Sequence, residues 1–241
     1  MIKKKLNGVT LLGIDCVDID RLVLVSEICR HAFDFEDVKL LTSLPSANSN
    51  AIPIKAIESV EDYSHFVISE LDKYISTSHV LLIQYDGFIL NPSAWSDEFL
   101  EYDYVGAPWL VADWSVDKFD FPKELLGKFV VGNGGFSLRS KRFLNICTQL
   151  TVEGAFKKYH PEDVALSVWN RELLESRGIR FAPVELAKRF SYEAEDDENN
   201  AWNGQFGFHG FRWTDISKWS VLHPEYDIDI KQNIIRLRHK K

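Results

Sequence analysis

Residues 79–87 read HVLLIQYDG, an apolar run that ends in an Asp-Gly pair. Consecutive apolar residues in so short a run are typical of a central parallel strand, because helices cover both faces of such a sheet. Ligands of parallel sheets bind beyond the carboxyl ends of the strands. The stretch therefore predicts a buried strand followed by candidate ligand-binding residues at Gln84, Tyr85 and Asp86.

Strand and helix signals alternate through the first half of the chain. Residues 9–14 form an apolar run that predicts the first strand, and Asp18 can cap the helix after it. Residues 38–42 predict another strand, residues 52–57 a short one, and Ser59 begins a capping box before a helix. This alternation predicts an α/β fold with a mostly parallel sheet flanked by helices.

The second half is less regular, but no linker separates it from the first. Its patterns predict helices at 141–150 and 161–177 and a strand at 179–182. We therefore expect one domain over residues 1–222, followed by a C-terminal tail or edge element at 223–241.

Composition excludes several classes of protein. The 241 residues include 28 Lys and Arg against 36 Asp and Glu, a net charge of −8, which gives no footprint for nucleic acid. The three cysteines favour a reducing, cytoplasmic location. No apolar run approaches the roughly 20 residues of a membrane span. Basic residues at 3–5 and 236–241 could contact an anionic membrane at its periphery, although a solvated chain end is the simpler interpretation.

Three motifs have both a chemical and a structural interpretation. Asp86 could hold a divalent cation on a diphosphate, or could simply form a turn with Gly87. His209 could ligate a metal, or could be a core histidine. The glycines Gly134 and Gly135 could let a ligand approach the backbone closely, or could form a tight hairpin.

Charged residues after the glycines extend the set of candidates. Arg139 and its neighbouring cations, near a helix start, could hold phosphate. Glu162 and Asp163 follow Pro161 at the start of a predicted helix, where acidic residues oppose the helix dipole. One of these carboxylates could equally act as a general base towards an attacking hydroxyl.

The order of the motifs adds a more specific signal. They occur in sequence as segments 82–87, 104–109, 132–139, 161–164 and 208–210. This order resembles a glycosyltransferase-like family of the GT-A fold, a Rossmann-like fold, that is catalogued as a domain of unknown function. The resemblance covers roughly residues 9–212.

The resemblance implies a nucleotide-sugar donor bound over the N-terminal half, with Mn²⁺ or Mg²⁺ held by Asp86 and His209. GT-A enzymes typically use an Asp-x-Asp motif, and Gln84 stands here in place of its first aspartate. Gln84 could still bond the ribose or a metal-bound water. The implied donor-binding residues are Asp15, Gln84, Tyr85, Asp86, Gly134, Gly135 and Arg139. Asp15 could instead be only an acidic residue of the loop before the first helix.

The resemblance also implies the chemistry. Glu162 and Asp163 match the acidic pair that supplies the base in inverting members, with Asp163 as the base. An acceptor hydroxyl of a glycan or polysaccharide would then displace the diphosphate directly, although retaining chemistry stays open.

Two other functions remain to be weighed. A degenerate module that binds a glycan or nucleotide without turnover would explain the loss of the first aspartate. A sugar nucleotidyltransferase would need a phosphate loop rich in glycine and arginine after the first strand, which residues 13–18 do not offer.

Overall fold

The computed structural model describes residues 3–193 and 200–238, and it shows a mixed α/β architecture. The strands are β1 (Lys4–Ile14), β2 (Phe33–Thr42), β3 (Ala51–Pro53), β4 (His79–Ile83), β5 (Tyr104–Gly106), β6 (Pro108–Leu110), β7 (Phe129–Val131), β8 (Ser137–Ser140), β9 (Ser191–Tyr192), β10 (Gly207–Phe208), β11 (Tyr226–Asp229) and β12 (Ile234–Leu237). The helices are α1 (Ile19–Ala32), α2 (Val60–Ser69), α3 (Asp113–Phe119), α4 (Lys141–Val152), α5 (Glu162–Val164), α6 (Arg171–Ser176), α7 (Val184–Phe190) and α8 (Ser217–Leu222).

The central sheet has the strand order β3-β2-β1-β4-β8-β5. The pairs β1–β2, β1–β4 and β2–β3 are parallel, whereas β8 runs antiparallel to both β4 and β5. The predicted fold class, a mostly parallel sheet flanked by helices, is confirmed. The β4 strand lies between β1 and β8, and residues 80–83 are completely buried, as the apolar run indicated.

Successive side chains of the sheet pack into two separate apolar layers. Leu11 and Leu81 belong to the layer that includes α1, whereas Leu12 and Leu82 belong to the layer with α2 and α4. Because side chains alternate across a strand, a strand that is apolar throughout needs cover on both faces. This packing fixes the end of β4, and with it the position of residues 84–86.

The predicted helix starts are confirmed at two caps. The Asp18 side chain accepts a hydrogen bond from the Asp20 backbone at the start of α1. The Ser59 hydroxyl accepts one from the Asp62 backbone, at 3.0 Å, at the start of α2. Each cap satisfies one of the backbone N–H groups that a helix start leaves unpaired.

The single helix predicted at 161–177 is wrong. The segment consists of α5, a π-helical turn at Ala165–Trp169, and α6. Asn170 is the physical reason, because its buried side-chain amide donates to the Ala165 carbonyl while its Oδ1 accepts from the Lys157 backbone. A side chain that inserts into the backbone ladder in this way breaks regular α-helix.

Two predicted strands are shorter than their patterns indicated. The strand predicted at 52–57 is limited to β3, which pairs with the last residues of β2. The strand predicted at 179–182 is only an isolated bridge between Phe181 and Tyr104. Pro183 follows at once, and the chain turns into α7.

The C-terminal segment, predicted as a tail or an edge element, contains a hairpin. Strands β11 and β12 pair antiparallel, and Tyr226 and Ile235 are buried in the same apolar layer as α1. The segment therefore shares the core of the sheet. Its last residues, 239–241, and residues 1–2 lie outside the described ranges, so the expected membrane contact stays a prediction. Within 3–193 and 200–238, no helix has the length and apolar character to cross a bilayer.

Candidate active site

Four segments meet at the carboxyl end of β4. They are residues 84–87 after β4, residues 132–135 between β7 and β8, residues 161–163 at the start of α5, and residues 208–210 at the end of β10. The Gly210 backbone donates to the Asp86 carbonyl at 2.7 Å, and the His209 backbone donates to the Tyr192 carbonyl at 3.0 Å. Backbone hydrogen bonds thus place His209 beside Asp86, 123 positions away in the sequence.

His209 lies at the centre of this arrangement. Its Nδ1 is 2.6 Å from Glu193 Oε1, and its Nε2 is 3.1 Å from Gln84 Oε1 and 3.8 Å from Asp86 Oδ1. Burial by itself would lower the pKa of His209. The carboxylates of Glu193, Asp86 and Asp163 outweigh it and raise the pKa to about 9.

Glu193 is the residue that orients this histidine. Besides His209, it accepts hydrogen bonds from the Trp109 indole and from the Asn133 side-chain amide, each at 2.7 Å. A carboxylate on the second nitrogen of an imidazole fixes the orientation of the ring and leaves Nε2 to face the site. The sequence indicated neither Glu193 nor Asn133, since Glu193 begins an acidic run that reads as a solvated loop.

The two glycines are required by side chains of the chain itself. A Cβ at Gly135 would overlap the His209 imidazole, and a Cβ at Gly134 would overlap the Glu162 carboxylate. The segment is therefore a close backbone lining over two buried side chains. The contact of a ligand with Gly134 and Gly135 stays a prediction.

Glu162 and Arg139 form an ion pair beneath this lining. Arg139 Nη1 is 2.6 Å from Glu162 Oε1, and both side chains are buried. Arg139 also donates to the Ser137 hydroxyl and the Gly134 carbonyl. Burial opposes the charged form of Arg139, but Glu162 and nearby tyrosines keep its pKa above the ordinary value. The Arg139 guanidinium is completely buried in this ion pair, and its contact with phosphate stays a prediction.

Asp163 has a different environment from Glu162. The backbone N–H of Val164 donates a hydrogen bond to Asp163 Oδ1 at 2.8 Å. Burial, together with the charges of Glu162 and Glu193, raises the pKa of Asp163 to about 7, against the weaker opposing effects of Val164 and His209. A carboxylate that takes up a proton near neutral pH suits a general base.

Asp163 and Glu193 also line a cavity of about 440 Å³. The aromatic residues that line the same cavity are Trp109, Trp114, Phe119, Phe121 and Trp213. Trp114 and Trp213 are 40% and 53% exposed, so their rings are accessible. We call this cavity the aromatic cleft.

Asp15 lies near the site but is fully engaged. Its carboxylate accepts from Arg21 Nε at 2.6 Å, from Arg21 Nη2 at 3.2 Å, and from the backbones of Val17 and Asp18. It therefore holds the loop before α1, which is the structural alternative given above. Arg21 in turn stacks on the Tyr85 ring at 3.7 Å, so Asp15 is linked to the site through Arg21.

The residues at the end of β4 fit a divalent cation. Among the described residues, none donates a hydrogen bond to the buried Asp86 Oδ1, which lies 3.8 Å from His209 Nε2. The Gln84 amide oxygen is a third donor atom, also beside His209 Nε2. Over residues 3–193 and 200–238, no three His, Cys, Asp or Glu side chains are grouped to hold a metal ion. A cation here would therefore depend on the neutral Gln84 in addition to Asp86 and His209.

Comparisons with known proteins give one family match. A family described as "Protein of unknown function (DUF5672)" matches residues 46–209. No curated protein matches the chain.

The chain is also similar to solved structures at low sequence identity. A crystal structure of an active-site mutant of LgtC is 12% identical, covers 90% of this chain and 95% of its own, and has a TM-score of 0.47. The crystal structure of A197 from STIV is 11% identical, covers 97% of this chain and 95% of its own, and has a TM-score of 0.37.

Proposed function

Because this chain belongs to DUF5672, a family of proteins of unknown function, we propose its activity from the site itself. It transfers a sugar from a nucleotide-sugar donor to a hydroxyl group of a carbohydrate acceptor. The observation that carries this proposal is Asp163, a carboxylate with a pKa of about 7 that lines the aromatic cleft. Beside it, His209 lies between Asp86 and Glu193. The motif order described above supports the same activity.

The proposed reaction is a direct displacement at the anomeric carbon. The oxygen of the acceptor hydroxyl forms a bond to that carbon, and Asp163 accepts the proton that this oxygen loses. The bond to the diphosphate oxygen breaks, and the diphosphate leaves with the electron pair. Attack from the face opposite the leaving group inverts the anomeric centre. A base of this kind contributes roughly 10²–10⁴-fold to a rate.

The other side of the site would hold the donor diphosphate. Asp86, His209 and the Gln84 amide oxygen would bind Mn²⁺ or Mg²⁺, whose charge stabilises a leaving diphosphate. Glu193 keeps the His209 ring oriented towards Asp86, so the ligand set is preorganised. The charge on Glu193 is held in turn by the Trp109 and Asn133 donors.

The aromatic cleft would hold the acceptor. Sugar rings have apolar faces that pack on aromatic side chains, and tryptophan offers the largest such surface. Trp114 and Trp213 present their rings to solvent, and Asp163 lies on the same cavity. An acceptor packed on these rings would bring a hydroxyl group to the base.

Thermal unfolding with a panel of nucleoside diphosphates, with and without Mn²⁺, tests the donor site. A ligand at 100 times its dissociation constant stabilises the fold by about 2.7 kcal/mol, which raises Tm by several degrees. We expect one diphosphate to produce this shift only with Mn²⁺, and Asp86→Ala to abolish it.

The matched control is Asp34→Ala, which removes an exposed carboxylate on β2. It should retain the shift of the unmodified chain. If no diphosphate shifts Tm in the presence of the metal, the donor site is wrong. A glycan alone that produces the shift would instead favour the module that binds without turnover.

A further inference from the structure

Asn233 of the C-terminal hairpin contacts the residues that follow β4. This asparagine lies between β11 and β12 with φ of 55°, a left-handed conformation that Asn adopts more readily than most residues. Its side-chain amide donates to the Tyr85 hydroxyl at 2.6 Å and to Asp86 Oδ2 at 3.3 Å. A segment about 150 positions away in the sequence thus contacts a candidate cation ligand directly.

Two oxygen atoms at this contact are buried and accept no hydrogen bond from the described residues, although His209 Nε2 lies 3.8 Å from Asp86 Oδ1. Asp86 Oδ1 and Asn233 Oδ1 have no hydrogen-bond partner in the part of the chain that the structure describes. Buried polar atoms nearly always have a hydrogen-bond partner in folded proteins. Two buried oxygen atoms that lack one, on residues that are hydrogen-bonded to each other, therefore indicate a ligand. Two oxygen atoms without a donor are suited to a cation.

The partners of Asn233 are themselves fixed. Tyr85 lies under the Arg21 guanidinium, which Asp15 holds with two hydrogen bonds. At the hairpin end, the Asp229 side chain accepts from the Gln232 backbone at 3.0 Å. Asn233 therefore links the hairpin turn to Tyr85 and to the Asp86 carboxylate.

We propose that Asn233 is a positioning residue that holds the Asp86 carboxylate for a divalent cation, which makes the C-terminal hairpin part of the donor site. This inference rests on the proposed function. It differs from a purely structural role, in which Asn233 would only attach the hairpin to Tyr85 and leave cation binding unaffected.

Titration of the full chain with Mn²⁺ alone, followed by calorimetry, tests the inference. Asn233→Gly keeps the left-handed backbone accessible while it removes the amide. We expect this variant to bind Mn²⁺ 10- to 100-fold more weakly, the usual effect of losing a residue that orients a metal ligand. Gln232→Ala, an exposed neighbour in the same turn, should bind Mn²⁺ within twofold of the unmodified chain.

Thermal unfolding without metal separates fold from site. A variant that unfolds early but binds Mn²⁺ as tightly as the unmodified chain would show a structural role only and would overturn the inference. Such a result would leave the proposed function intact. If the unmodified chain binds no Mn²⁺, the inference is wrong, and the nucleotide panel then decides the proposed function separately.

Discussion

Replacing Arg139 with methionine is expected to destabilise the protein by about 3–5 kcal/mol, because it leaves the Glu162 carboxylate buried without its partner. Glu162→Gln alone should also be costly, since it leaves the guanidinium unpaired. The double variant should recover part of the loss, because two neutral side chains then share the space. Chemical denaturation of the four proteins measures each free energy of unfolding and the coupling between the two sites.

Arg177→Met provides the matched control for the buried pair. Arg177 pairs with Glu153 at 2.7 Å, but both side chains are more than 40% exposed. Exposed pairs contribute about 0–1 kcal/mol, so this variant should unfold almost as the unmodified chain does. Equal losses at Arg139 and Arg177 would contradict the role given to the buried pair.

Replacing Asp163 with asparagine is expected to lower kcat by about 10²–10⁴-fold, because an amide cannot take the proton from the acceptor hydroxyl. Nucleotide binding should persist. In the unmodified chain the rate should rise with pH through about 7, as Asp163 loses its proton. Initial rates of diphosphate release over a pH series measure both effects. Near-normal turnover in the variant would remove Asp163 from the role of base.

The same variant has a second, independent signature in stability. The folded state raises the pKa of Asp163 from its ordinary value of 3.8 to about 7, so the fold favours the protonated form. That contribution is present at low pH and is lost as pH rises through 7. Asp163→Asn stays neutral throughout, so its stability relative to the unmodified chain should increase between about pH 4 and pH 7. A difference that does not change with pH would argue against the raised pKa.

The contrast between Glu162 and Asp163 shows how environment assigns roles to adjacent carboxylates. Glu162 faces a buried guanidinium and is held in an ion pair, whereas Asp163 faces two other carboxylates and the aromatic cleft. Carboxylates in contrasting environments take different roles in active sites for this reason. The residue types alone pointed to both carboxylates, and only the resemblance implied Asp163 as the base.

The central strand and the residues after it could be predicted because their signals are local. An apolar run of strand length and an Asp-Gly pair are sufficient to place Gln84 and Asp86 at the carboxyl end of a parallel strand. The helix caps at Asp18 and Ser59 were predictable for the same reason. Each depends on residues within a few positions of one another.

Contacts between distant segments could not be read from the sequence. The Asn233–Asp86 hydrogen bond and the Arg139–Glu162 pair join residues whose separation no local pattern encodes. Asn170 breaks a helix only because its buried amide finds the Ala165 carbonyl and the Lys157 backbone. The bond between Asp15 and Arg21 could not be foreseen either, so the sequence left both interpretations of Asp15 open.

The most direct test of the account is a transfer reaction. The purified chain is incubated with nucleotide sugars, Mn²⁺ and a mixture of oligosaccharides, and mass spectrometry follows both the acceptors and the released diphosphate. We expect one acceptor to gain the mass of one sugar residue as one diphosphate appears. Asp163→Asn should lose both signals, and Gln232→Ala should keep them. Binding of a nucleotide sugar without consumption of any donor across the panel would contradict the account.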